Sequence, residues 1–231
     1  MSRHRVRLRL AKEQEARFIS HLDLARALER AVRRAGLPVA LSEGFHPLPK
    51  LALGPPLALG ATSQAEYLDL ELRQPVPPQE VAARVGAALP PGIRVLAAGV
   101  PEPDARALMA ECAAADYVVR VVPAGGEPEW DGPRAVADLL AGEAWVVTRP
   151  VKGGGERQVD IRPHLLGLKY LGPDGDGHRL AMRVRTGSAG GARPEEYLPA
   201  LGRFARVEVE RTEVWLLRNG QLTAPLPRGR G

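Results

Sequence analysis

The sequence predicts an α+β protein built from two tandem ferredoxin-like (βαββαβ) modules with mainly antiparallel sheets. Three observations lead there. Hydrophobic periodicity in the first half runs strand, helix, strand, strand, helix, strand, and the second half passes through a similar order with an added strand. A chain of 231 residues, 45% of them hydrophobic and spread along its length, can bury one large core or two small ones. The predicted boundaries are 1–103 for the first module, 104–223 for the second and 224–231 for a Pro/Gly/Arg-rich disordered tail.

From Arg5 to Leu10, Val6, Leu8 and Leu10 fall on one face and Arg5, Arg7 and Arg9 on the other. This is the period-two pattern of a half-buried strand, with a strongly basic outer face. Ser20 with Asp23 three residues on marks a helix start, and Gly36 and Pro38 close that helix near Ala35. On it Leu24, Leu28, Ala31 and Ala35 recur at helical spacing, while Arg26, Arg30, Arg33 and Arg34 gather on another side. Val39 to Leu41 and Lys50 to Leu53 are short extended segments around a Gly/Pro-broken loop, and Glu66 to Leu72 alternates as a strand. Pro77 to Leu89 reads as a helix entered through proline, and Ile93 to Ala97 as a strand.

After the Pro101–Pro103 linker, Ala105 to Ala115 has helical composition. The second pass then offers strands at Tyr117–Val122, Trp145–Thr148, Gln158–Ile161 extending into Leu165–Leu171, Arg179–Arg185 and Arg206–Leu217. Its helices are Pro133–Leu140 and Glu195–Leu201.

The charge is local. Residues 1–50 hold 11 Lys and Arg against 5 Asp and Glu, so that segment is +6 and the rest of the +5 chain is −1. Such a field attracts phosphate backbones or acidic protein surfaces alike. No apolar run is long enough for a membrane span, and no signal-like segment follows the Arg-rich N-terminus, so a cytoplasmic protein without membrane contact is expected. The single cysteine, Cys112, excludes an internal disulfide and reads as a small buried thiol. Histidines 4, 21, 46, 164 and 178 lack the paired spacings of a zinc site, so no metal or cofactor is expected.

The loop Ser42-Glu-Gly-Phe-His-Pro-Leu-Pro-Lys50 combines a glycine, two prolines, an aromatic, a histidine and a lysine, a composition suited to a rigid binding surface. Phe45 either stacks on a base or plugs the core; His21 and His46 serve local hydrogen bonding or contact a ligand. Lys152-Gly-Gly-Gly-Glu-Arg157 lacks the order of a phosphate-binding P-loop and suits a hairpin connection. Gly187 to Arg193 precedes the Pro194 helix, whose first amides could receive an anion.

Arg17-Phe-Ile-Ser-His-Leu-Asp-Leu-Ala-Arg26, Arg33-Arg-Ala-Gly-Leu-Pro38 and the 42–50 loop resemble the radical-SAM-linked family of uncharacterised bacterial proteins. The resemblance continues through Gly60-Ala-Thr-Ser-Gln-Ala-Glu-Tyr-Leu-Asp69, Val159-Asp-Ile-Arg-Pro163 and Ala192-Arg-Pro194. His46 and Leu48 depart from the family's Gly-Phe-Asn-Pro-His-Pro-Lys loop. The resemblance implies a radical SAM protein as partner and no reaction of its own. One cysteine cannot hold the cluster that radical chemistry needs, so the chain is not the radical enzyme.

The expected binding surface for RNA or a protein partner comprises Arg5, Arg7, Arg9, Arg17, His21, Arg26, Arg30, Arg33, Phe45, His46 and Lys50. The leading expectation is an RNA-binding accessory to a radical SAM enzyme. A protein-docking subunit, and an enzyme using His21, Asp23, His46 and Lys50, are the alternatives.

Overall fold

The computed structural model describes residues 4–125, 130–151, 153–187 and 190–226. Along the chain run β1 (His4–Lys12), α1 (His21–Arg34), β2 (Leu51–Leu53), β3 (Thr62–Leu72), α2 (Pro78–Gly86), β4 (Ile93–Gly99), α3 (Leu108–Glu111) and β5 (Cys112–Pro123). They are followed by α4 (Gly132–Ala141), β6 (Val146–Pro150), β7 (Glu156–Asp160), β8 (Leu165–Asp174), β9 (Gly177–Arg185), α5 (Leu198–Leu201), β10 (Phe204–Arg218) and β11 (Gln221–Thr223). The architecture is mixed α+β, with mostly antiparallel strands and few helices. Two compact units divide it: Met1–Ala113 with Arg211–Gly231, and Ala114–Glu210.

In the first unit the strands lie in the order β4-β1-β3, and β2 and the second half of β10 both run beside β3. The register Val6↔Leu70, Leu8↔Leu68 puts apolar side chains of both strands on one face. There α1 contributes Leu24, Leu28 and Val32 and α2 contributes Val81 and Val85, forming the core. The Ser20 hydroxyl accepts from the Asp23 amide at 3.1 Å and donates to the Asp23 carboxylate at 2.7 Å, satisfying the first turn of α1. Gly36, at φ +60°, ends the helix in the left-handed conformation that glycine adopts without penalty. Arg84 of α2 then donates to the Ala35 and Gly36 carbonyls.

The opposite face of β1 corrects the expectation of an exposed basic surface. Arg7 is wholly buried, and its guanidinium makes two bonds to Asp69, at 2.6 and 2.8 Å, and one to the Pro225 carbonyl at 3.2 Å. Arg5 donates to the Ala105 and Arg106 carbonyls. Arg9 donates to the Gln64 and Thr212 carbonyls and lies 3.3 Å from Glu213, which accepts from the Tyr67 hydroxyl at 2.7 Å. Arg211, also buried, pairs with Glu66 and donates to the Pro55 carbonyl. The charged face is thus a second interior layer, because Asp69, Glu213 and carbonyls of covering segments supply every guanidinium with acceptors.

Three other expectations change. The helix expected over Ala105–Ala115 shrinks to α3, and the Ala-rich stretch from Cys112 enters β5, whose Ala114 and Ala115 pair with Arg185 and Val184 of β9. Strand pairing overrides alanine's helix preference there. Second, the strand expected to continue from Gln158 into Leu171 is broken by the turn Arg162–His164, which separates β7 from β8. Third, among the described residues the second unit does not repeat the first. The first half of β10, β5, β9 and β8 lie side by side, β6 and β7 form a separate two-stranded sheet, and α5 is a single turn.

Arg211 onward belongs to the first unit, so that unit is formed by two separate stretches of chain. Of the expected disordered tail, residues 227–231 lie outside the described residues, whereas Leu226 is buried and Pro225 accepts from Arg7.

Replacing Asp69 by Ala leaves the Arg7 guanidinium buried without its counter-ion. We expect a loss of about 3–5 kcal/mol in denaturant unfolding, most of it recovered when Arg7→Met and Asp69→Leu are combined.

Candidate functional site

Because α1 commits Leu24, Ala27, Leu28, Ala31 and Val32 to the core, its other side carries Leu22, Arg26, Arg30, Arg33 and Arg34 to solvent. Positions 22, 26, 30 and 33 are one helical turn apart and form a continuous stripe. Arg26 approaches Asp23 at 3.5 Å and Arg33 approaches Glu29 at 3.1 Å. Arg30 has no ion pair with any described residue. Exposed pairs of this kind are worth at most about 1 kcal/mol, so the guanidiniums are available to a stronger acceptor.

The 42–50 loop stands beside the C-terminal half of α1. Its stem is closed by a Leu41–Pro49 bridge, by the Ser42 amide to the Leu48 carbonyl at 2.8 Å, and by the Leu48 amide to the Ser42 hydroxyl at 3.0 Å. Arg33 donates to the Pro47 carbonyl at 3.2 Å and so pins the loop to the helix. Gly44 turns the tip at φ +120°, and Phe45 projects fully into solvent with no burial at all. This settles its two sequence readings against the core. His46 and Lys50 are exposed on the same loop.

At the other end of α1, Phe18 is 63% exposed, with the Arg17 guanidinium 5.2 Å from its ring centroid. Arg17 donates to the Gly60 carbonyl at 2.8 Å and accepts from the Gly60 amide at 2.9 Å. Leu59, the residue before Gly60, and Leu22, in the first turn of α1, are equally exposed. Neither leucine was singled out in the sequence, since an apolar residue in a helix start or a loop carries no local sign of exposure.

Of the residues expected to bind, the structure gathers Arg17, Arg26, Arg30, Arg33, Phe45, His46 and Lys50 on α1 and its flanking loops. Arg7 is withdrawn into the interior, and Arg5 and Arg9 are engaged by carbonyls and carboxylates. His21 sits in the first turn of α1, whereas His46 rides on the loop held by Arg33, roughly 18 Å farther along the helix. His21 and His46 are thus carried at opposite ends of α1.

His21 has its own surroundings. Its Nδ1 is sealed from solvent without a hydrogen-bond partner. Burial holds its pKa below the usual histidine value, with Glu66 pulling upward and Arg211 and Lys12 pushing further down. Lys12, also buried, donates to the Ile19 and Arg17 carbonyls and has its pKa lowered by the same burial. The imidazole is thus kept neutral beside two buried cations and one carboxylate.

The anion seat expected at Gly187–Arg193 is filled from within. Glu196 accepts from the Arg193 amide at 2.7 Å and from Arg149 at 2.8 Å, and the helical stretch that follows is a 3-10 turn and a single α-turn. Ser188, Ala189 and Lys152 lie outside the described residues. Gly153, Gly154 and Gly155, all at positive φ, make the turn of the β6–β7 hairpin. Cys112 is buried and its thiol is pushed up to about 12, which keeps it protonated. Among the described residues no cluster of His, Cys, Asp or Glu could hold a metal, and no helix is long and apolar enough to cross a membrane.

A family model described as "Uncharacterized protein conserved in bacteria (DUF2344)" matches residues 5–194. The chain belongs to that family. The family description names no activity and no partner, and no curated protein matches the sequence. Among solved structures, this DUF2344 chain is similar to a chain of a Cbf5-Nop10-Gar1 complex, at 13% identity and TM-score 0.51 over 90% of its own length. It spans 48% of that chain, about half, and the likeness shows a shared fold. A chain of an archaeal box H/ACA sRNP Nop10-Cbf5 complex follows at 14% identity and TM-score 0.45, covering 89% of this chain and 46% of that one.

A histidine whose folded pKa is depressed takes up its proton more readily in the unfolded chain. Its contribution to stability is therefore complete above the unfolded value near 6.5 and is lost as pH falls below it. We expect the denaturation midpoint to decline between about pH 7 and pH 5, and His21→Gln to flatten that decline.

Proposed function

We propose that this protein binds RNA through α1 and its flanking loops and acts as a cytoplasmic accessory to a radical SAM enzyme, in RNA modification. The observation that carries the reading is the exposed stripe Arg26-Arg30-Arg33, whose acidic partners are weak and whose Arg33 also bonds the Pro47 carbonyl of the loop that carries a fully exposed phenylalanine. Guanidiniums of this kind donate to phosphate oxygens in a forked geometry that a lone ammonium does not match.

We read the β4-β1-β3-β2 order of the first unit as a ferredoxin-like sheet, a topology many RNA-binding domains share; the analogy concerns the scaffold only. Where such domains present an open sheet to RNA, here that face is closed by the Arg7–Asp69 layer, which leaves the helix side as the accessible surface. The radical SAM partner rests on the motif resemblance of Arg17–Arg26 and the 42–50 loop. A second reading, docking of that partner without nucleic acid, is favoured by the exposure of three large apolar side chains, Phe18, Leu22 and Leu59.

The test is retention of total cellular RNA by the purified chain across a salt series. We expect binding at low salt that falls steeply as salt rises. The triple change Arg26→Gln, Arg30→Gln, Arg33→Gln should reduce the slope of log affinity against log salt by about 2–3. Absence of retention at low salt, or an unaltered slope, overturns the RNA reading. Copurification of a radical SAM protein without RNA, lost on Leu22→Ser with Leu59→Ser, establishes the second.

A further inference from the structure

The chain has three phenylalanines, and two of them, Phe18 and Phe45, are exposed at 63% and 102%. Phenylalanine is among the residues most often enclosed, and its ring has no polar edge that water rewards. Both exposed rings flank the same helix. Phe18 lies three residues before the first turn of α1, and Phe45 lies on the loop that Arg33 holds by the Pro47 carbonyl. Between them run Arg26, Arg30 and Arg33, spaced over roughly 10 Å of helix.

The backbone that carries each ring is held. The 42–50 stem is closed by backbone bonds at Ser42 and Leu48, and Gly44 supplies the turn that directs Phe45 outward. Arg17 lies over the Phe18 ring at 5.2 Å and is itself held by the Gly60 carbonyl, so the guanidinium backs the aromatic plane. An aromatic ring backed by a cation and open to solvent is a stacking platform.

The combination discriminates between forms of RNA. In a duplex the bases are stacked on each other, and a protein meets phosphates, 2′-hydroxyls and groove edges, none of which engages a phenylalanine face. Unpaired bases offer that face. We propose that this surface takes a single-stranded RNA segment, with unpaired bases stacked on Phe18 and Phe45 and the intervening phosphates paired with Arg26, Arg30 and Arg33. The inference rests on the RNA-binding reading above and adds to it the class of ligand.

The experiment compares, by fluorescence anisotropy with the full-length chain, an unstructured oligouridylate and a blunt RNA duplex of equal length. Phe18→Ala with Phe45→Ala should weaken single-strand binding by about 30-fold or more and leave duplex binding unchanged, in line with the loss of one stacked base per ring. Phe45→Trp should retain affinity, and its indole emission should be quenched on binding the single strand. The thermal melt of Phe45→Ala alone should match the parent, since Phe45 buries nothing.

If the arginine triple variant loses binding while the phenylalanine variants keep it, or if the duplex binds as tightly as the single strand, the single-strand inference fails and the RNA reading stands. If neither RNA binds the parent protein, both fail. Capture of a radical SAM protein that Phe18→Ala abolishes, with no RNA bound, assigns the rings to protein docking and overturns the proposal.

Discussion

Arg7 lies in the middle of β1 with its guanidinium out of reach of water, and Asp69 on the neighbouring strand is the reason it can. A charge taken out of solvent without a partner is strongly destabilising, so the register that sets Arg7 opposite Asp69 is constrained as tightly as any apolar contact in the unit. A slip of β1 by one residue would send Arg7 to the helix face and Leu8 to the charged one, leaving Asp69 on β3 without its partner. The remaining ion pairs extend the same logic outward: Glu213 between Arg9 and Tyr67, and Glu66 with Arg211. The apolar layer under α1 and α2 supplies the driving force, and the charged layer sets which strands meet and where.

That division also determines where function can sit. With one face of the sheet closed by its own ion pairs and the other by two helices, the accessible chemistry of the first unit lies on the solvent side of α1 and the loops at its ends. The arginines fall into two populations. Those of β1 and Arg211 of β10 are engaged by carboxylates and carbonyls, and those of α1 hold their acidic neighbours only weakly. Only the second population can exchange partners at little cost, which is what an electrostatic ligand requires.

Much of the first unit was legible in the sequence. The alternation of β1 and β3, the Ser20 cap and the Gly36 stop report local requirements, and each appears where its pattern placed it. Periodicity could not distinguish a solvent face from a second interior one, because both break the apolar run at every other residue. The distinguishing sign was non-local: Asp69 and Glu71 stand opposite Arg7 and Arg5, charges of opposite sign on two strands that were read separately. The Ala-rich segment before Tyr117 was misread for a similar reason, since its strand state comes from β9, some seventy residues away. Phe45 was undecidable from composition, whereas the site residues on α1 were visible because helical spacing separates a buried stripe from an exposed one.

The chain's return has a further consequence. The first unit is discontinuous: Arg211, Glu213, Arg218, Pro225 and Leu226 complete a layer begun by Arg7, Arg9, Glu66, Tyr67 and Glu111. During synthesis, the residues up to Ala113 leave the ribosome with Glu66 and Tyr67 lacking their partners, while the whole of the second unit is still to be made. Vectorial, unit-by-unit folding is closed to such a chain. The arginine-bearing helix can form early, but the sheet that supports it is completed only once the segment from Arg211 to Leu226 has emerged.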